Sequence, residues 1–343
     1  MDIEFHYYIT AYLAHKAGFS QTDAQVLAYA SQYVDENDVC FHIVHRSSEQ
    51  IYRNFISQTM NILKPKQALM RIYPIFHFVP GEPDAPTARP TARRSDGKRH
   101  VLNTTPNSEN ANELMHQAIR ADRQTRLYRI GIASHAYVDT WAHQNFVGWY
   151  DQFNQVGSDP KPNIGHADGE HHPDWVSHRW CDDRLLDSEV NNRHRFLSAA
   201  KELFAWLCCA EGRQEAVETS TAWPTVFAEL SEMMGPTYTG RECKFRQDRT
   251  QRYGAVMPWL KPFDEREWFD QAIESEVRGQ EDTHEGLMAR FTLFEDRHYW
   301  REDTDHQTSH WFCFQEAVKE HEQAGIKQLT PCFAEMGYKL AQT

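Results

Sequence analysis

The residues with the clearest chemical potential lie in Gly131-Ile-Ala-Ser-His135-Ala-Tyr-Val-Asp139-Thr-Trp-Ala-His143. His135, Asp139 and His143 stand at i, i+4 and i+8. At about 100° per residue they drift by only roughly 80° over two helical turns, so they share one helix face. Imidazole, carboxylate and imidazole on one face are a donor set that a divalent cation such as zinc accepts. The flanking Ile130, Ile132, Ala133, Ala136, Val138, Trp141 and Ala142 are apolar, so the helix is expected to be buried on nearly every side. Burying His, Asp and His without partners is costly. A metal supplies partners; hydrogen-bonded core histidines beside a surface aspartate are the alternative.

A second dense stretch runs from Gly165 to Asp174 and holds His166, His171 and His172 with Asp168, Glu170 and Asp174; His178 and Asp182 follow. His166 with Glu170 and His178 with Asp182 are i, i+4 pairs, and His171 with Asp174 is i, i+3. Pro173 suggests that a helix begins there, leaving the earlier residues in a loop. Spacing alone leaves the ligands open among Glu170, His171, Asp174, His178 and Asp182.

The elements that must position these groups read as mainly helical. Residues 5–17 and 22–34 are expected as helices separated by Gly18, with Ser20 or Thr22 as cap. His6 opens the first. Asp35 ends the second, where an acid opposes the macrodipole and so has either another role or a place in a solvated turn. Residues 49–63 suggest an amphipathic element. Pro74 and Pro80 bound a stretch expected to be extended, holding His77 between Phe76 and Phe78 as a ligand or an aromatic filler. Residues 81–112 read as a long polar loop. Its basic cluster of Arg89, Arg93, Arg94, Lys98, Arg99 and His100 is either a phosphate-attracting lid or a solvated insertion. Helices are expected at 185–210, 214–234, 264–279 and 309–324, with Asp264 and Glu267 as a capping box. The implied organisation is a multi-helical metal-binding domain over 1–182, with 81–112 as its flexible basic loop, and a helical extension or lid over 183–343.

Bulk properties narrow the function. The chain has 343 residues, 36 basic against 49 acidic, net −13, and 19 histidines. The charge disfavours a general nucleic-acid binder. Seven cysteines at 40, 181, 208, 209, 243, 313 and 332 form no C-x-x-C pair, which suits free thiols in a reducing compartment. No signal-peptide pattern opens the chain and no apolar run reaches the roughly 18 residues of a membrane span. A cytoplasmic location, or export without a cleaved signal, is expected. Position 288 is Met, so His284-Glu285 is no H-E-x-x-H motif; a His-Asp doublet and a G-x-S-x-G elbow are likewise missing.

The order of the motifs resembles the zinc-dependent phospholipase C superfamily, which includes single-strand nucleases, and the opening resembles a bacterial family taken as distantly related. The resemblance covers roughly residues 1–180. It implies a mostly helical phosphodiesterase with two or three zinc ions. Carried over, His77, Asp35, His135 and Asp139 hold the first ion. His143, His166 and Glu170, with His171 or Asp174 as alternates, hold the second. His6 sits on a third, with Asp139 bridging. In that family the N-terminal residue chelates through its amine after signal removal; here Met1, Asp2 or Glu4 would have to substitute. The interval from His135 to His143 is also shorter than the family's.

The implied chemistry is phosphodiester hydrolysis on a phospholipid or small phosphoester. Asp35 orients or deprotonates the nucleophile, and Arg93 and Arg94 contact phosphate. Iron and manganese accept the same donors as zinc. The alternatives are a single-strand nuclease with the same site and a helical interaction protein whose metal is structural.

Overall fold

The computed structural model describes residues 1–59, 66–82, 93–157, 164–214, 217, 220–240, 243–278, 295–303 and 305–340. The protein is mainly α. A π-helical turn, Glu4–Ile9, runs into α1 (Thr10–Ala17) and is followed by α2 (Gln21–Glu36). Then come β1 (His42–Val44), β2 (Ile51–Arg53), α3 (Lys66–Phe76), α4 (Glu109–Ile119) and α5 (Arg126–Ala142). A two-stranded ribbon, β3 (Arg179–Cys181) and β4 (Glu189–Asn191), leads into α6 (Asn192–Ala210). The chain ends through α7 (Trp223–Met234), α8 (Cys243–Val256), α9 (Glu267–Ala272), β5 (Ile273–Arg278), β6 (Glu295–Trp300) and α10 (His310–Glu335).

The first pair of helices follows the sequence expectation. Ser20 caps α2 by accepting from the Asp23 N–H. Gly18 ends α1 in the left-handed conformation with φ 117°. α5 is buried all round, from Tyr128 through Ala142, and α2, α4, α6 and α10 surround it. Gly131 sets the closest approach. A Cβ there would lie 2.5 Å from the Leu27 carbonyl oxygen and 2.7 Å from the Ala30 Cβ. Leu27, Ser31 and Asp35 form an i, i+4, i+8 row on α2, facing the i, i+4 row of Gly131 and His135 on α5.

Several expectations are corrected. Residues 73–76 are helical, not extended: Pro74 lies in the last turn of α3 and removes one ladder bond there. The chain turns at His77, whose N–H donates to the Tyr73 carbonyl. Within 49–63, residues 51–53 are a strand; 60–63 lie outside the described residues. Residues 273–278 leave the helical path for β5, because Ile273, Ser275 and Val277 alternate with Glu274, Glu276 and Arg278 at the two-residue period of a strand. β5 pairs antiparallel with β6, and β6 lies parallel to β1, in a four-stranded sheet of order β2-β1-β6-β5. Asp264 accepts from the Arg266 N–H rather than closing a box with Glu267.

The region 81–112 is less open than a lid. Residues 83–92, including Arg89, lie outside the described residues. Residues 93–95 pair with 184–186, and Ser108 caps α4. Residue 182 does not divide two cores either: one hydrophobic cluster runs from Met1 to Leu340 and includes Phe5, Ile132, Phe196, Trp311 and Phe314. Cys40, Cys181, Cys208, Cys209, Cys313 and Cys332 are free thiols. Among the described residues, no helix is long and apolar enough to cross a membrane.

The Gly131 contact is with backbone, which yields little. Gly131→Ala is expected to destabilise the protein by about 1–3 kcal/mol, as overpacking does. Chemical denaturation checks it; an unchanged midpoint would mean that the two helices are not locked at this distance.

Candidate metal centre

Residues far apart in sequence meet at Asp139. Its carboxylate is 1% exposed, and its two oxygens face different groups. Oδ1 contacts the Met1 amine and lies 3.2 Å from His6 Nε2. Oδ2 lies 3.3 Å from His135 Nε2, 3.6 Å from His77 Nδ1 and 3.7 Å from His143 Nδ1. Asp35 Oδ1 adds a second carboxylate 3.6 Å from His135 Nε2 and 3.7 Å from His77 Nδ1. A neighbouring cluster forms on Asp174: Oδ1 is 3.2 Å from His143 Nε2 and 3.4 Å from the Met1 amine, and Oδ2 is 3.3 Å from His166 Nε2. Three groups have ligand atoms within 4.8 Å of one another: His6, Asp35 and His135; His77, His135 and Asp139; His143, His166 and Asp174. Each could hold a metal ion.

The imidazoles are aimed by backbone carbonyls. His135 Nδ1 donates to Ser31 O at 2.8 Å, leaving Nε2 for the centre. His77 Nε2 donates to Ser57 O at 2.9 Å, leaving Nδ1. His143 Nδ1 donates to His77 O at 2.6 Å, and His166 Nδ1 to Glu170 O at 2.7 Å. A ring nitrogen tied to a carbonyl fixes the tautomer and presents the other nitrogen as a lone pair, the outer arrangement of metal-bound histidine. His6 differs. It is fully buried and stacked on His135 with centroids 3.7 Å apart, yet neither nitrogen has a hydrogen-bond partner among the described residues. An orphaned imidazole against a buried carboxylate is costly unless something binds between them.

Electrostatics follow the same pattern. Burial works against the Asp139 carboxylate, but the Met1 amine and the imidazoles of His143, His135 and His6 hold it well below the usual carboxylate range. Asp174 is likewise held low, against its burial, by His166, the Met1 amine and His143. Burial lowers His6 to about 4, aided by its stacking partner His135, so this ring is neutral. Burial also lowers His143. Burial opposes the charge on the Met1 amine, but Asp139 and Asp174 outweigh it and raise the group to about 10. Burial also works against a charge on His135, but Asp35 and Asp139 raise it. Carboxylates are bound by metals in the ionised state they hold here, and His135 and the Met1 amine would have to give up a proton to a cation.

The structure therefore gathers His6, Asp35, His77, His135, Asp139, His143 and His166, and adds Asp174 and the Met1 amine. It treats the acid at 170 differently. Residues 167–169 form a 3-10 turn and Glu170 has φ 52°, so His166 and Glu170 are not on successive helical turns. Glu170 offers its carbonyl to His166, while Asp174 supplies the carboxylate. His171 sits at the rim with its ring 78% exposed and Nδ1 4.0 Å from Asp174 Oδ2. Asp182 is committed to Arg184, and His178 to His172. Gly165 closes this loop: its φ is 51°, and a Cβ would lie 2.6 Å from Phe78 Cζ. Phe78 in turn stacks on His143 at 4.3 Å.

The basic pair is placed elsewhere. Arg94 forks onto Asp96 at 2.9 and 2.7 Å, donates to Phe153 O and covers the Phe153 ring. Arg93 is exposed. The Met1 amine was signalled only by the want of a chelating terminus, and no sequence spacing marks Ser31 or Ser57 as carbonyl donors.

No curated protein and no solved structure matches the chain. A family model described as a family of unknown function, DUF6765, matches residues 1–329, and the chain belongs to that family.

Proposed function

We propose that the centre holds two or three zinc ions and hydrolyses phosphodiesters, as in the phospholipase C superfamily that the motif order resembles. One observation carries the proposal: a single buried carboxylate, Asp139, is shared by His6 on one oxygen and by His77 and His135 on the other. A carboxylate so placed suits a bridge between cations. His77, His135, Asp35 and Asp139 would hold one ion, His143, His166 and Asp174 a second, and His6 with Asp139, beside the Met1 amine, a third. The all-nitrogen-and-oxygen donor set fits zinc, and iron or manganese would accept it.

Zinc bound in such a cluster supplies an acidified water and charge neutralisation on the phosphoryl oxygens. The chain supplies the rest. Asp35 has a side chain 26% exposed and His166 one 18% exposed, so the centre has a side that solvent reaches. An open side favours catalysis over a closed structural site. Asp35, at that opening, orients the attacking water and accepts its proton. The carbonyls of Ser31, Ser57, His77 and Glu170 keep the rings from turning as charge develops, so orientation is set before substrate arrives. The net charge of −13 favours a phospholipid or small phosphoester over a single-stranded nucleic acid.

Zinc content by elemental analysis and hydrolysis of a generic phosphodiester, with and without chelator, test the proposal. His135→Ala is expected to lose metal and activity together, because this ring belongs to two of the clusters. Full zinc content in that variant would overturn the assignment.

The acid of the second cluster is tested separately. Asp174→Asn is expected to lower zinc content by about one ion per chain, whereas Glu170→Gln keeps it, since it is the carbonyl of residue 170 that orients His166. The reverse result would return the ligand role to Glu170.

Metal removal should also destabilise the fold, because Asp139 and Asp174 stay buried without their cations. At zinc a hundredfold above its Kd, the bound form gains about 2.7 kcal/mol. A melting temperature indifferent to chelator and to added zinc would count against a buried cluster.

A further inference from the structure

The N-terminal turn that reaches Asp139 is bonded to helix α8, more than 240 positions later. Glu4 is 1% exposed, and its carboxylate accepts from Arg249 Nε at 2.6 Å, from Arg249 Nη2 at 2.8 Å and from the Tyr253 hydroxyl at 2.8 Å. Asp2 accepts from Arg246 Nη2 at 2.5 Å, one turn earlier on α8. These acids lie between the Met1 amine and His6. From Glu4 to Ile9 the chain is a π-helical turn, a wider coil that is frequent at functional sites. Both the Phe5 and His6 N–H groups donate to the Asp2 carbonyl at 3.0 Å, so anchoring Asp2 and Glu4 fixes where His6 points. His6 itself has no hydrogen bond to hold it among the described residues. Its direction comes from stacking on His135, from the Asp139 carboxylate 3.2 Å from Nε2 and from this grip.

We infer that Arg249, with Tyr253 and Arg246, is a positioning residue for the third metal site: α8 holds Glu4 and Asp2 so that His6 meets Asp139. This rests on the zinc reading above and assigns to the second half of the chain a role in the centre built by the first. The planar fork of Arg249 matters more than its charge. It fixes the Glu4 carboxylate in two directions at once, and a lysine cannot reproduce that. A buried ion pair is poor at adding stability but can fix a unique arrangement.

Zinc titration of the intact protein by calorimetry, paired with zinc content after dialysis, tests the inference. Arg249→Lys keeps a cation beside Glu4 and loses the fork; Tyr253→Phe removes one hydrogen bond to Glu4. Each is expected to weaken the weakest zinc site about tenfold or more, as loss of outer support does, while the tighter sites keep their affinity. A merely structural grip would lower the melting temperature and leave every site's zinc affinity alone; that result overturns the inference and spares the zinc proposal. Uniform weakening of all sites also overturns it. Wild-type protein that takes up no zinc overturns both. If Arg249→Lys does not fold, Tyr253→Phe and the half-exposed Arg246→Ala decide on the same readout.

Discussion

A buried carboxylate whose one cationic partner is the Met1 ammonium governs this structure. Asp139 is ionised and inaccessible, and among the described residues no Arg or Lys pairs with it or with Asp174. Their contacts are imidazoles and the Met1 ammonium, one positive charge between two carboxylates. Neutral imidazoles offer lone pairs or weak dipoles to an anion, far short of what desolvation of a carboxylate demands. The surrounding architecture keeps these groups from relaxing apart. Gly131 lets α2 and α5 touch, which brings the Ser31 carbonyl to His135 and Asp35 to the same place. The Ser57 carbonyl locks His77, and the His77 carbonyl locks His143. Each link is a main-chain group, so the centre is only as movable as the helices and turns that carry it.

Much of the first half was legible because its chemistry is periodic. His135, Asp139 and His143 show their shared face in the spacing alone, and Asp35 stands out as an acid against a helix dipole. The failures share a cause. His166 with Glu170 fits helical spacing, but Gly165 and the left-handed Glu170 turn the backbone, so the i+4 rule does not apply. Pro74 suggests a break, but the helix tolerates it in its final turn, with His77 just beyond. The sheet was missed because its strands are short and come from distant parts of the chain, His42–Val44 and Ile51–Arg53 with Ile273–Arg278 and Glu295–Trp300. Its pairing is tertiary, and local pattern carries little of it.

The second half was the least legible, and its contribution is mechanical. α6 and α10 pack on α5 and complete its burial, making the low-dielectric surroundings in which buried carboxylates matter. Arg249 reaches back to Glu4. Nothing in the spacing of Arg246, Arg249 and Tyr253 distinguishes a row gripping the N-terminus from an ordinary solvated helix face. Only the depth of Glu4 and Asp2 tells the two apart.

Partner type separates the acids and histidines of this chain into two kinds. Glu4 and Asp182 are as buried as Asp139, but each meets an arginine fork and is complete. His172 and His178 pair with each other, and the His310 ring nitrogen meets the Tyr128 hydroxyl. These contacts lie within the protein, although His178 Nδ1 has no hydrogen-bond partner among the described residues. At the centre, His77, His135, His143 and His166 each have one nitrogen on a carbonyl and the other turned toward a carboxylate that no arginine serves. Histidine density alone would not make that distinction, since both kinds occur between residues 166 and 178. A surplus of buried anions facing pre-aimed lone pairs does, and it is the arrangement that bound cations resolve at least cost.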